Sequence, residues 1–238
     1  MRGATVQRAA MDGRGVLEIA TALVRQDVPQ ADVREQLIDG IPARQLVESA
    51  AEAAMIVLGA RGHGGFASLL LGSTSQRVAA HAPCPVVVVG QDAERPPTGR
   101  IVLGLNVHKA SAAALEFAFS MAARTAAELH VIYGWAVDDT YARFSKGSAF
   151  NLDELREQER QALSDVLDPW IAKAPQVNVV QLALDATADA ALVAASAEAD
   201  LLVLSARRAR TGPRHLGPVV HSALRHATCP VAVVPEEL

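Results

Sequence analysis

His81-Ala-Pro-Cys-Pro-Val-Val-Val-Val89 and His226-Ala-Thr-Cys-Pro-Val-Ala-Val-Val234 close two stretches of this 238-residue chain that lie 145 residues apart. Upstream, Met55-Ile-Val-Leu-Gly59 lies over Leu201-Leu-Val-Leu-Ser205, and Leu46, Val47 and Glu52 lie over Leu192, Val193 and Glu198, at an offset of 146. An internal repeat of this length is two copies of one domain, so each motif can be read twice. The reading divides the chain into a first domain over 1–90, a linker over 91–99 and a second domain over 100–238. Around that linker, Gly90-Gln-Asp-Ala-Glu-Arg-Pro-Pro-Thr-Gly99 is polar and carries Pro-Pro between two apolar runs.

The second copy alternates short apolar runs with helical patterns. Arg100–Asn106, Leu129–Gly134, Val177–Leu184, Leu201–Leu204 and Pro230–Val234 read as strands. Ala112–Glu128, Leu152–Lys173, Asp189–Glu198 and Gly217–His226 read as helices between them. Alternation of this kind predicts right-handed crossovers and a parallel five-stranded sheet with helices on both faces, an α/β architecture repeated in tandem. The first copy starts late. Its expected elements are a helix over Met1–Gln26, a strand over Val33–Ile38 and a helix over Ala43–Ala53. About 45 residues, the counterpart of two strands and the helix between them, have no place in the chain. A start further upstream, or a truncated product, is the expectation, because a sheet lacking two strands leaves apolar edges open.

Half the residues are hydrophobic, 20% are charged and only 4% are aromatic, so the core must rest on Ala, Val and Leu. A net charge of −4 argues against general nucleic-acid binding, which needs a basic face to neutralise phosphates. No apolar run approaches the roughly 20 residues that span a bilayer, and Met1–Arg14 lacks the apolar region of a secretory signal. The expected location is cytoplasmic. Cys84 and Cys229 occupy equivalent places and read as small apolar residues beside a buried strand, and no metal motif is present.

Gly59-Ala-Arg-Gly62 follows a buried strand, and Gly72-Ser-Thr-Ser75 opens a helix nine residues later. Glycines let backbone come close to a ligand, and the amides and positive end of a helix attract an anion. Ser73 and Thr74 could add hydroxyl donors, and Arg61 or His63 could add charge. These features resemble the universal stress protein family, whose signature is Gly, two residues, Gly, nine residues, Gly, then Ser or Thr. Gly59, Gly62, Gly72 and Ser73 match it in full. The flanking Ile56–Phe66 and His81–Pro85 are similar to the family too. The resemblance implies a Rossmann-like sheet of the adenine nucleotide α hydrolase type, with ATP, and Mg2+ beside it, at the carboxyl ends of the strands. It implies cofactor contacts from Gly59, Arg61, Gly62, His63, Gly72, Ser73 and Thr74. In nucleotide-binding members an Asp after the first strand holds the ribose and adenine. The first copy lacks that segment, so no cofactor at all is an equal expectation.

In the second copy Asn106 stands where that Asp would be, a weaker candidate with a hydrogen-bonding side chain and no carboxylate. Its loop runs Ser205-Ala-Arg-Arg208 and then Gly217-Pro218: both early glycines are replaced, one spacer residue is gone, and proline removes a donor. Arg207, Arg208, Arg210, Arg214 and His215 make that loop cationic, a solvated rim or an anion site. No nucleophile elbow, Walker lysine motif or His-Glu-x-x-His occurs. No catalytic residue is singled out, and at most weak ATP hydrolysis is expected. The resemblance therefore implies a regulatory stress-response protein, or alternatively an interaction module of the same fold that works without nucleotide. Pairing of the two copies through Val86–Val89 and Val231–Val234, a homodimer and a regulatory protein partner are the expected associations, with no membrane and no specific nucleic acid.

Overall fold

The computed structural model describes residues 2–60, 71–90, 95–136, 152–206 and 216–236. The chain forms two compact units, residues 1–45 and 46–238. The smaller unit holds helix α1 (Arg2–Asp27), and the boundary falls within helix α2 (Pro42–Ser49). Between the helices, residues 31–39 form neither helix nor strand and join no ladder. The strand expected over Val33–Ile38 is therefore absent, and the repeat explains why. Its counterpart in the second repeat, Val179–Leu184, pairs with Glu128–Gly134. Among the described residues no first-repeat strand stands where Glu128–Gly134 stands in the second, and a segment without a ladder partner leaves its amides to water. Val16, Ile19 and Leu23 are each more than half exposed on α1.

The larger unit carries one seven-stranded sheet in the order β1-β2-β7-β6-β3-β4-β5. The first repeat supplies β1 (Ile56–Gly59) and β2 (Val86–Val89). The second supplies β3 (Arg100–Gly104), β4 (Glu128–Gly134), β5 (Val179–Leu184), β6 (Leu201–Ala206) and β7 (Val231–Pro235). Every neighbouring pair is parallel except β2 with β7. Ile56 sits opposite Val86 in one repeat and Leu202 opposite Val231 in the other, so the two copies keep the same register. The antiparallel pair centres on Val87 opposite Ala232, and those two positions are themselves repeat equivalents.

Side chains alternate between the two sheet faces. On one face helices α4 (Ala112–Thr125) and α5 (Leu152–Lys173) cover Ile101, Leu103, Leu129, Val131, Val203 and Val234. Ser111 caps α4 by accepting from the Ala114 amide at 3.3 Å, and Leu163 and Leu167 of α5 are fully buried. Burial of each such leucine is worth about 2–3 kcal/mol. Helices α6 (Ala188–Ala195) and α7 (Pro218–His226) pack together on the opposite face of the second repeat, and α3 (Ser73–His81) packs on β2. Contact with α3 closes the turn that the sequence places after the glycine loop. The His81 ring nitrogen Nδ1 meets the Arg77 carbonyl at 2.9 Å in its last turn.

The described end of the linker is clamped to the second repeat. Arg95 donates to the carbonyls of Ala197 at 2.8 Å, Ser196 at 2.9 Å and Ala199. Asp200 accepts from the Thr98 amide at 2.7 Å, the Thr98 hydroxyl at 3.0 Å and the Gly99 amide at 2.8 Å. Partial burial would raise the Asp200 carboxyl, but these hydrogen bonds outweigh it and hold the group below the ordinary carboxylate range. A depressed pKa stabilises the fold above the unfolded value and loses that effect as pH falls through the folded value. Asp200→Asn should therefore lower Tm at pH 7, by about 1–2 kcal/mol of stability. The gap between variant and wild type should shrink below about pH 4, measured by calorimetry across a pH series.

Candidate functional site

The glycine loop of the first repeat rises from the carboxyl end of β1 and returns at the amino end of α3. Its base is tied by three hydrogen bonds. The Ala60 amide donates to the Val89 carbonyl at 2.7 Å, and the Gly72 amide donates to the Ala60 carbonyl at 2.7 Å. The buried Ser75 hydroxyl donates to the Gly59 carbonyl at 2.8 Å. Gly72 is the N-cap residue in extended backbone with no side-chain cap. The first-turn amides of Ser73, Thr74 and Ser75 consequently have no intrahelical acceptor, while the Gly72 amide is spent on closing the loop. Ser73 is exposed, and Thr74 is half-buried. Arg61, Gly62 and His63 lie outside the described residues. Ser75 was not among the residues singled out from sequence; its position in the Gly-Ser-Thr-Ser run was the available signal.

The second repeat holds a cavity of about 250 Å³ at the carboxyl ends of β3, β4 and β6. Strand β3 has β6 on one side and β4 on the other, so this is the crevice where strand order reverses, the usual ligand position in open α/β sheets. Two glycines allow it to close tightly. A Cβ on Gly104 would sit 2.5 Å from Leu204 Cδ2 and 2.8 Å from Leu192 Cδ1. On Gly134 it would sit 2.7 Å from the Ala188 backbone Cα. Most of the lining is apolar, with Ile132, Leu192, Leu204 and Val220 prominent; Asn106, Tyr133 and Ser205 bring the polar groups. Gly217 caps α7 with Pro218 at its first position, which leaves this helix start one donor poorer than that of α3.

Asn106 is exposed, and its Oδ1 accepts from the His108 amide at 3.1 Å, capping the short 3-10 turn Val107–Lys109. The geometry gives it a structural task at the cavity lip. Behind it His108 Nε2 lies 3.3 Å from the Tyr133 hydroxyl, with the two rings edge to face. Burial, the negative charge of Glu159 and the hydrogen bond to that carboxylate push Tyr133 up to about 12. The phenol stays protonated across the physiological range and acts as a fixed donor. Sequence reading did not connect these three residues, because they come from three separate elements. Arg207, Arg208, Arg210, Arg214 and His215 of the cationic loop lie outside the described residues.

Burial raises the Cys84 thiol and pushes Cys229 up to about 11, so neither is a nucleophile at neutral pH. Among the described residues, no group of three His, Cys, Asp or Glu side chains could hold a metal ion. No described helix is long and apolar enough to cross a membrane.

Comparison with known proteins bears on both repeats. The model of the universal stress protein family matches residues 3–90 and again 97–235. Universal stress protein Rv2005c of Mycobacterium tuberculosis is 30% identical over 230 residues, which cover 93% of this chain and 76% of that protein. Universal stress protein Rv2623 of the same organism is 26% identical over 233 residues, covering 95% and 77% respectively. A universal stress protein structure from Archaeoglobus fulgidus shares the fold, with TM-score 0.62 and 22% identity over 94% of this chain and 79% of that one. A second, from Pseudomonas aeruginosa, has TM-score 0.62 and 16% identity over 92% and 78%.

The contrast between the two glycines is testable. Gly134→Ala meets backbone and should cost about 2–3 kcal/mol, whereas Gly104→Ala meets leucine side-chain ends and should cost less. Urea melts of both variants check the order; equal losses would contradict the backbone contact.

Proposed function

The chain belongs to the universal stress protein family, and from that premise we propose that it is a regulatory stress-response protein whose first-repeat loop, Gly59 to Thr74, receives the phosphates of ATP. Membership supports the stress-response role. The phosphate reading is supported by one observation: the two described ends of the glycine signature, at Gly59–Ala60 and Gly72–Ser75, are hydrogen-bonded together beside uncapped first-turn amides. Anions are stabilised there by the amides and by the positive helix end together. Gly59, Gly62 and Gly72 would give main chain access to the phosphates. Arg61, His63, Ser73 and Thr74 would supply charge and donors, and Mg2+ would accompany the nucleotide. Any hydrolysis would be weak, since the sequence carries no nucleophile elbow, Walker lysine motif or His-Glu-x-x-His.

A second reading has its own support. Strand β1 is the edge of the described sheet, whereas the second-repeat crevice is flanked by strands on both sides of β3 but lacks the glycines. A nucleotide-independent interaction module would tolerate this division. Thermal melts with and without Mg-ATP separate the two. Nucleotide at 100-fold over its dissociation constant should add about 2.7 kcal/mol of apparent stability, a shift of several degrees. Gly62→Val should abolish it. An unchanged Tm for wild type at millimolar ATP supports the interaction module.

A further inference from the structure

The crevice of the second repeat is uncharged: none of its described lining residues is Asp, Glu, Lys, Arg or His. Its floor follows from the strand register. Gly104 sits opposite Ile132 on one side and Leu204 on the other, so these three and Gly134 share a sheet face. Leu192 of α6 and Leu204 close over Gly104, where a Cβ would meet both side chains, and Val220 of α7 extends the apolar wall. An apolar cavity of about 150 Å³ takes one benzene ring, so the roughly 250 Å³ here suits about two fused rings.

Two helix starts border this crevice, and neither is arranged as an anion cradle. At α6 the first turn carries Asp189. Hydrogen bonds from the Thr187 hydroxyl and the Ala190 amide hold that carboxyl below the ordinary range, so the protein's own negative charge occupies the positive helix end. At α7 the first position is Pro218, which has no N–H to offer.

One directed polar group remains. The Leu105 amide donates to the Ile132 carbonyl at 3.0 Å, which continues the ladder, and its side chain joins the core on the α4 face. Asn106 follows in extended backbone and so returns to the crevice face. A backbone amide can only donate, so the atom that meets the His108 amide at 3.1 Å is Oδ1. That contact fixes the orientation of the carboxamide. Its Nδ2, with no partner among the described residues, is left as a donor at the rim.

We propose that the second-repeat crevice binds a small uncharged ligand, about two fused rings in size, that is apolar over most of its surface and presents one hydrogen-bond acceptor, a carbonyl or ring nitrogen, to Asn106 Nδ2. Burial of the ring system against Ile132, Leu192, Leu204 and Val220 supplies the affinity, and the Asn106 donor supplies the orientation. The site is separate from the first-repeat glycine loop and does not depend on nucleotide binding there.

The test uses the full chain, labelled with nitrogen-15, and three probes followed by amide chemical shifts. Coumarin has two fused rings and a carbonyl acceptor, indene has similar size and no acceptor, and adenosine monophosphate carries the phosphate. Coumarin should give saturable shifts at Gly104, Asn106 and Gly134, with indene weaker at the same amides and the nucleotide without effect there. Asn106→Ala, at an exposed position, should weaken coumarin about fivefold, the worth of one hydrogen bond, and leave indene unchanged. Ala188→Leu, which fills the crevice, should remove both. No saturable shift with millimolar coumarin, equal loss of coumarin and indene in Asn106→Ala, or tighter binding of the nucleotide at these amides overturns the proposal.

Discussion

Three antiparallel residue pairs, Val86 with Val233, Val87 with Ala232 and Val88 with Val231, carry the architecture. Two strands of four residues each, β1 and β2, would not persist as a sheet in water. Here they extend a five-stranded sheet whose core is already complete, and their backbone groups find partners through β7. The join is antiparallel because it relates two copies by an approximate twofold at Val87 and Ala232. A parallel sheet would otherwise end at β7 with an apolar edge, the condition that favours uncontrolled strand addition.

That join also explains how the functional features are distributed. Among the described residues the first repeat contributes β1, α3 and β2 to the larger unit. It carries the first-turn amides of α3 without a side-chain cap, and its β1 is the edge of the described sheet. The second repeat has all five strands and a closed crevice, but Ser205 stands in place of Gly59 and Pro218 in place of Ser73. The second repeat supplies the main hydrophobic core, from Ile101 to Val234.

Much of this was legible in the sequence, and the rest was not for physical reasons. Uniformly apolar runs such as Leu201–Leu204 marked buried parallel strands, and the Ala-rich and charged helical patterns marked α4 and α5, because both periods are imposed by burial. Val33–Ile38, with Arg34, Glu35 and Gln36 between its apolar ends, forms no strand. Composition reports what a segment can pair with, not whether the partner is present. The repeat located the glycine turn, but it did not reveal the crevice between β3 and β6. That depends on Gly104 and Gly134, single residues without a motif, against Leu192 and Ala188 from a later helix. Tyr133, His108 and Glu159 meet only through tertiary packing, and no spacing announces them.

Hydrogen exchange across the junction tests the account most directly. If β2 and β7 hold the first repeat to the second, the amides of Val86–Val88 should exchange about as slowly as those of Val231–Val233, and well behind the 31–39 segment. Exchange of Val86–Val88 at the rate of an unpaired loop, while Val231–Val233 stay protected, would contradict it.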